Sequence, residues 1–309
     1  MILGMSSYKK AILALIIANV IWGGASPIFK LALQNIPPFT LAFFRFGIAT
    51  LILFPLVHRE LHNFHDEVEN WRDIIVFALS GVTVNIIFFF LALRLTESIN
   101  APIIGSFGPV MVMCLAYLWL GEKVTTRKVL GGFIALSGIL VIILKPVLET
   151  GFDGSVLGNI FLVFATLGAV INTLVGRHLA HKYPPLPLTF WAFLIGTITF
   201  IPLALTETAS FPILDYRGWI GIVYGAVFSS AIAYAFHTWG LSKISASEVS
   251  LFAYIDPVVA MFIAYPLLGE KPTPLFIVGA ILVFGGIYIA ERRLNYHPLN
   301  KILQKTKSK

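Results

Sequence analysis

A few residues with side chains able to bind or move charge lie inside apolar runs of this chain. Asp256 stands directly before Pro257 inside one hydrophobic run, with Tyr254 two residues ahead of it. His237 stands inside another, with Tyr234 one turn before it. Arg45 sits about seven residues into a third run, Asn19, Trp22 and Lys30 share the first, and Asn85 interrupts a fourth. This is the chemistry of recognising a small charged solute. A carboxylate takes an ammonium or a proton, a histidine titrates near neutral pH, and a guanidinium grips a carboxylate through two parallel N–H bonds. Asparagine amides hydrogen-bond the ends of a zwitterion, and an indole floors a cavity by stacking on an apolar portion.

Ordinary structural roles compete with each of these. A charge in hydrocarbon costs about 3 kcal/mol on insertion scales, so it normally faces a cavity or a partner. Asp256 can belong to a structural ion pair or be kept neutral by burial, although Pro257 removes a backbone donor and tends to kink the helix beside it. His237 can be satisfied within a helix bundle, and Arg45 can lock two helices together. Lys30, near the end of its run, can snorkel. Asn19 and Asn85 are ordinary glue between membrane helices, and Trp22 can pack on lipid or a neighbouring helix.

The elements that position these residues must be membrane helices. Of 309 residues, 58% are hydrophobic and 12% charged, with a mean hydropathy of +0.87, whereas a soluble domain carries roughly a quarter charged residues. Ten apolar segments run 11–33, 39–57, 74–93, 99–120, 127–144, 155–176, 186–206, 218–240, 246–268 and 273–290, each near the length of roughly 20 residues that a span requires. The expected fold is therefore an all-α integral membrane protein of ten transmembrane helices in a lipid bilayer. No connection is long enough to form a separate domain.

The net charge of +7 would suggest nucleic acid in a soluble protein. Here sixteen basic residues fall on the N-terminal side of the membrane and four on the other, an asymmetry that places both termini in the cytoplasm and calls for no nucleic-acid partner. The apolar stretch after Lys9 and Lys10 continues without a small-residue cleavage site and reads as a retained span. The single cysteine, Cys114, excludes an intramolecular disulfide.

The chain repeats itself. Pro37 to Leu56 lies over Pro184 to Leu203 with nine identities in twenty positions, and Pro109 to Ile139 over Pro257 to Ile287 with thirteen in thirty-one. The two offsets, 147 and 148, point to duplication: a five-helix repeat at 1–146, a second at 147–291, and a basic tail at 292–309. An odd number of spans inverts the second copy, the architecture of carriers that alternate between inward-open and outward-open states. The duplication also acts as a filter. Arg45 faces Ala192, Asn85 faces Ala233, His237 faces Phe89 and Asp256 faces Gly108, so none of these polar residues is needed merely to build the unit.

Several motifs add up to a resemblance: Trp22-Gly23 in the first span, Arg45-Phe46 in the second, and Pro109 and Pro257, each followed by Leu-Gly-Glu-Lys and a Gly-rich span. In this order the chain resembles the drug/metabolite transporter superfamily, in particular its EamA-type members, over roughly residues 12 to 290. The resemblance implies an inverted-repeat transporter of a cell (inner) membrane, often an exporter of amino acids or related metabolites. It implies no ATP-binding machinery, and the chain has no Walker-type loop. One departure is Leu167-Gly168-Ala169, where many relatives carry a tryptophan-alanine pair.

The expected function is a secondary transporter, not an enzyme and without cofactor, that moves a small amphiphilic metabolite through a cavity between the halves. An organophosphate or nucleotide-sugar exchanger would want more intramembrane cations than Lys30 and Arg45. An embedded enzyme acting on a lipid-linked substrate would want more acids than Asp256. Glu122 and Glu270 follow glycines expected to close helices, with Thr125 and Thr273 capping the next ones. His58, His62 and His65, beside Asp66 and Glu67, are expected in a solvated loop rather than on a metal. Gly105, Gly108, Gly131, Gly132, Gly138, Gly279, Gly285 and Gly286 are expected at close helix contacts. The odd-numbered repeat makes a topological prediction: cysteines placed at Lys123 and Lys271 label from opposite sides of the membrane, and labelling of both from one side contradicts the inversion.

Overall fold

The structure, a computed structural model, describes residues 7–112, 115, 126–149, 154–208, 213–244, 249 and 251–291. Helix α1 spans Ser7–Ala32 and α2 spans Pro38–Glu67. Helix α3 (Trp71–Ala78) passes through a π-helical segment, Leu79–Val84, into α4 (Asn85–Leu95), followed by α5 (Asn100–Gly105), α6 (Thr126–Glu149), α7 (Gly154–Lys182) and α8 (Pro185–Leu205). Helix α9 (Tyr216–Val223) passes through a second π segment, Tyr224–Ile232, into α10 (Ala233–Lys243). A 3₁₀ turn at Leu251–Tyr254 leads into α11 (Ile255–Leu268), and α12 covers Pro274–Glu291.

Local sequence explains most of these boundaries. Prolines at the first turns of α2 and α8 lose nothing by lacking an N–H there. Asn70 and Asp215 cap α3 and α9, each accepting from the backbone N–H two residues on, at 3.1 and 2.8 Å. Gly269, at φ 70°, closes α11 in the left-handed conformation, and the Thr273 hydroxyl accepts from the Phe276 N–H at 3.3 Å.

Six helices are long and apolar enough to cross a membrane, at 7–32, 38–61, 71–95, 154–182, 185–205 and 216–243, and four shorter apolar helices lie at 100–112, 130–145, 252–268 and 274–286. No strand occurs among the described residues. The protein is an all-helical integral membrane protein. Cys114, Gly121, Glu122, Lys123, Thr125 and the basic tail lie outside the described residues.

One expected loop is helical. Helix α2 runs on to Glu67, so His58 and the backbone of His62 and His65 belong to it, because the charges that end a hydrophobic run do not end a helix. The His58 ring bonds to the Pro55 carbonyl at 2.9 Å. The side chains of His62, His65, Asp66 and Glu67 are outside the described set.

Fully buried rings fill the centre of the bundle. Phe46 on α2 stacks on Phe200 of α8 at 6.2 Å and tilts against Phe193 at 5.3 Å. Helices α6 and α12 instead touch backbone to backbone. A Cβ added at Gly138 would lie 2.6 Å from the Gly279 carbonyl oxygen, and one at Gly286 would lie 2.5 Å from that of Gly131. These two contacts are related by the offset of 148 residues. Gly105 and Gly285 have nothing within 4 Å and do not mediate close contact, contrary to the expectation from their place in the Gly-rich runs. Gly286→Ala is therefore expected to lower unfolding stability in detergent by about 1–3 kcal/mol through overpacking, while Gly285→Ala stays within about 0.5 kcal/mol of the parent. Equal unfolding midpoints for the two variants would refute the contact.

Candidate functional site: a charged central cavity

Seven of the nine sequence candidates, Asn19, Trp22, Arg45, Asn85, Tyr234, His237 and Asp256, line one cavity of about 250 Å³ at the centre of the bundle. Its remaining wall is largely apolar, with Phe29, Ile86, Phe89, Val112 and Leu162.

Arg45 is 2% exposed. Its Nε donates to the Ser230 hydroxyl at 2.8 Å and its Nη2 to the Ser229 hydroxyl at 3.0 Å. The rings of Phe29 and Phe46 lie 4.8 and 4.7 Å from the guanidinium carbon. Gly225 leaves room for the arginine stem, since a Cβ there would meet Arg45 Cγ at 3.1 Å.

Trp22, Tyr234 and His237 form an aromatic cluster, the indole lying 5.1 Å from each of the other two rings. The indole N–H donates to the Ser229 carbonyl at 3.0 Å, and the Tyr234 hydroxyl to the Gly81 carbonyl at 3.2 Å. Gly81 and Ser229 are again related by 148 residues, one in each π segment. Widening a turn to i→i+5 disturbs the helical ladder and is frequent at functional sites. In each segment here, one carbonyl takes a hydrogen bond from an aromatic residue of the opposite half of the chain.

Asp256 occupies the first turn of α11, not the interior of a long ninth helix as its place in the hydrophobic run suggested. The chain turns 3₁₀ immediately before it because Pro257 has no N–H to donate to the carbonyl four residues back, so an α-helical ladder cannot run through it, whereas a proline is tolerated in a first turn. Turn geometry at Ser106-Phe107 interrupts the fourth apolar segment ahead of Pro109 in the same way. A carboxylate is favoured beside a helix start. The Asp256 Oδ1 and the Ser26 hydroxyl are both buried without a hydrogen-bond partner among the described residues, and both residues line the cavity.

The asparagines at the wall bond to backbone carbonyls. Asn85 Nδ2 crosses to the Ala165 carbonyl of α7 at 2.7 Å, and Asn19 Nδ2 reaches back to Leu15 of its own helix at 2.7 Å. Two candidates lie elsewhere. Tyr254 packs edge-on to Phe284, 6.3 Å away. Lys30 pairs with Glu270 at 3.0 Å and donates to the Thr96 carbonyl at 2.6 Å. Glu270 in turn accepts from the Ser98 N–H, the Ser98 hydroxyl and the Ile99 N–H at 3.0, 2.6 and 3.2 Å. It therefore joins three chain segments at one end of the bundle, beyond the helix-end role expected of it.

Sequence reasoning missed Ser26, Ser229 and Ser230. The duplication filter flags the last two: at the same offset Ser229 faces Gly81 and Ser230 faces Val82, so neither hydroxyl is shared by the other copy.

Fold and cavity together define a polytopic membrane protein with an internal cavity lined by Arg45 and Asp256. The chain belongs to the EamA-like transporter family, whose model matches residues 9–144 and again 156–291. It is 30% identical over 282 residues to an uncharacterized transporter of Archaeoglobus fulgidus, covering 91% of this chain and 97% of the relative. It is 26% identical over 296 residues to a Streptantibioticus cattleyicolor protein named as a probable terminal-alkyne amino-acid exporter, covering 92% and 94% of the two chains. A solved crystal structure shares the fold at a TM-score of 0.65 and 18% identity, covering 91% of this chain and 97% of its own. The protein is thus a membrane transporter of the drug/metabolite superfamily and not an enzyme; its substrate is a small molecule.

Breaking the Glu270 junction tests its structural weight. Glu270→Gln is expected to cost about 1.5–3 kcal/mol, the worth of hydrogen bonds to a charged group. Unfolding in detergent measures it, and an unchanged midpoint contradicts the role.

Proposed function

We propose that this protein exports amino acids or related small amphiphilic metabolites across a cell inner membrane by alternating access. The moving parts are two five-helix repeats, 1–146 and 147–291, the second inverted, with both termini and the basic tail 292–309 in the cytoplasm. The observation that carries the reading is the cavity: Arg45 and Asp256, of opposite sign when ionised, line one space and come from the two separate family matches. A zwitterion with an apolar side chain suits such a wall, its charged ends facing Arg45 and Asp256 and its side chain against Phe29, Phe89 and Trp22. The relative named as an amino-acid exporter supports the same class.

Efflux of radiolabelled amino acids from proteoliposomes tests the proposal directly. Asp256→Asn keeps the shape and deletes the ionisable group. Where the carboxylate holds the substrate ammonium, the variant loses about 1.5–3 kcal/mol of binding, roughly ten- to hundredfold in affinity. Where it carries a proton, pH-driven accumulation disappears while downhill exchange persists. Unchanged affinity, rate and pH dependence would move the site away from Asp256. Absence of efflux for every amino acid would remove the substrate class.

A further inference from the structure

Arg45 is a buried cation. No Asp or Glu lies within ion-pair distance of it among the described residues, and serine hydroxyls bring no negative charge. A guanidinium has five N–H donors in one plane. The edge shared by Nε and Nη2 is occupied by Ser230 and Ser229, and the rings of Phe29 and Phe46 lie 4.8 and 4.7 Å from the guanidinium carbon. What remains is the end formed by Nη1 and the second hydrogen of Nη2, the fork that matches a carboxylate in plane. Arg45 lines the cavity.

The π segment explains how two neighbouring residues serve one edge. In an α-helix consecutive side chains diverge by about 100°, and a wider turn reduces that angle. Ser229 and Ser230 lie within the π segment Tyr224–Ile232, and the indole of Trp22 holds the Ser229 carbonyl. We propose that Ser229 and Ser230 are positioning residues that make Arg45 a receptor for one monoanionic group of the transported solute, a carboxylate by its geometry. A phosphate dianion would need a second cation, and Lys30 is engaged with Glu270. The inference rests on the transport reading for its context but not on amino acids being the solute.

The test uses purified full-length protein in detergent, with 4-methylpentanoate as the probe and its neutral isostere 4-methylpentanamide as the control. Ligand binding to the folded state raises the unfolding midpoint. The carboxylate is expected to raise the midpoint saturably in the parent and not in Arg45→Met, and the amide is expected to give no Arg45-dependent shift. Ser229→Ala/Ser230→Ala is expected to weaken the carboxylate's apparent affinity about tenfold, the loss of one hydrogen bond's worth of charge orientation. A merely structural serine pair would lower the unliganded midpoint and leave that affinity unchanged. Should the double variant not fold, Arg45→Met alone still decides the anion assignment. No carboxylate shift in the parent, an equal shift in Arg45→Met, or an equal Arg45-dependent shift with the amide would overturn it. Amino-acid efflux can fail in proteoliposomes while these shifts stand, which would retire the substrate class and keep the anion site.

Discussion

Hydrocarbon cannot solvate a polar group, so every donor, acceptor and charge inside the membrane must find its partner within the protein or face a cavity. The architecture follows from that constraint. It makes the described backbone predominantly helical, and it governs the fate of most buried polar side chains. Thr50, Thr166 and Thr189 return their hydroxyls to carbonyls of the preceding turn. Asn172 and Asn85 cross between helices to carbonyls of the opposite wall. Two of the groups left unspent, the Asp256 Oδ1 and the Ser26 hydroxyl, lie on one central space.

The same constraint shapes the end of the bundle where α1 and α11 finish. Helix α2 starts with prolines and has no capping side chain of its own. Glu207, from the far end of α8, accepts from the Phe39 and Thr40 N–H groups at 3.2 and 2.7 Å instead. Glu270 does the equivalent for Ser98 and Ile99 and also neutralises Lys30. Two carboxylates distant in sequence thus satisfy exposed donors and fasten segments from both family matches. Both ties use hydrogen bonds to carboxylates instead of apolar packing.

Other helix pairs are fastened differently, by close backbone approach. Glycines let α6 lie on α12, and Gly23 lets α1 lie on α11, where an added Cβ would come within 2.9 Å of the Asp256 carbonyl oxygen. Helices α1 and α11 therefore meet at the turn that carries Asp256. The paired π segments place Gly81 and Ser229 where side chains from the opposite half bond to their carbonyls. Each half of the chain is consequently read by an aromatic residue of the other at the level of the cavity. The cavity is lined from both halves of the chain.

Much of this was legible in the sequence, because hydrophobic runs and duplication are local properties of the chain. The all-helical membrane fold, the Pro-initiated spans, the Gly269 helix end and the choice of Arg45, Asp256, His237 and Trp22 needed only residue types, their spacing and the comparison of two copies. Partners far apart in sequence were decided by tertiary structure. Lys30 looked like a cavity or interface residue until Glu270, 240 positions away, was brought to 3.0 Å. Tyr254 looked like a neighbour of Asp256 in one helix until the turn at Leu251–Tyr254 pointed it to Phe284. Helix α2 outlasted its apolar run because charge marks where lipid ends, not where hydrogen bonding does. Ser229 and Ser230 have meaning only beside Arg45, because orienting a buried guanidinium takes acceptors in three dimensions, and no one-dimensional pattern records which helix will supply them.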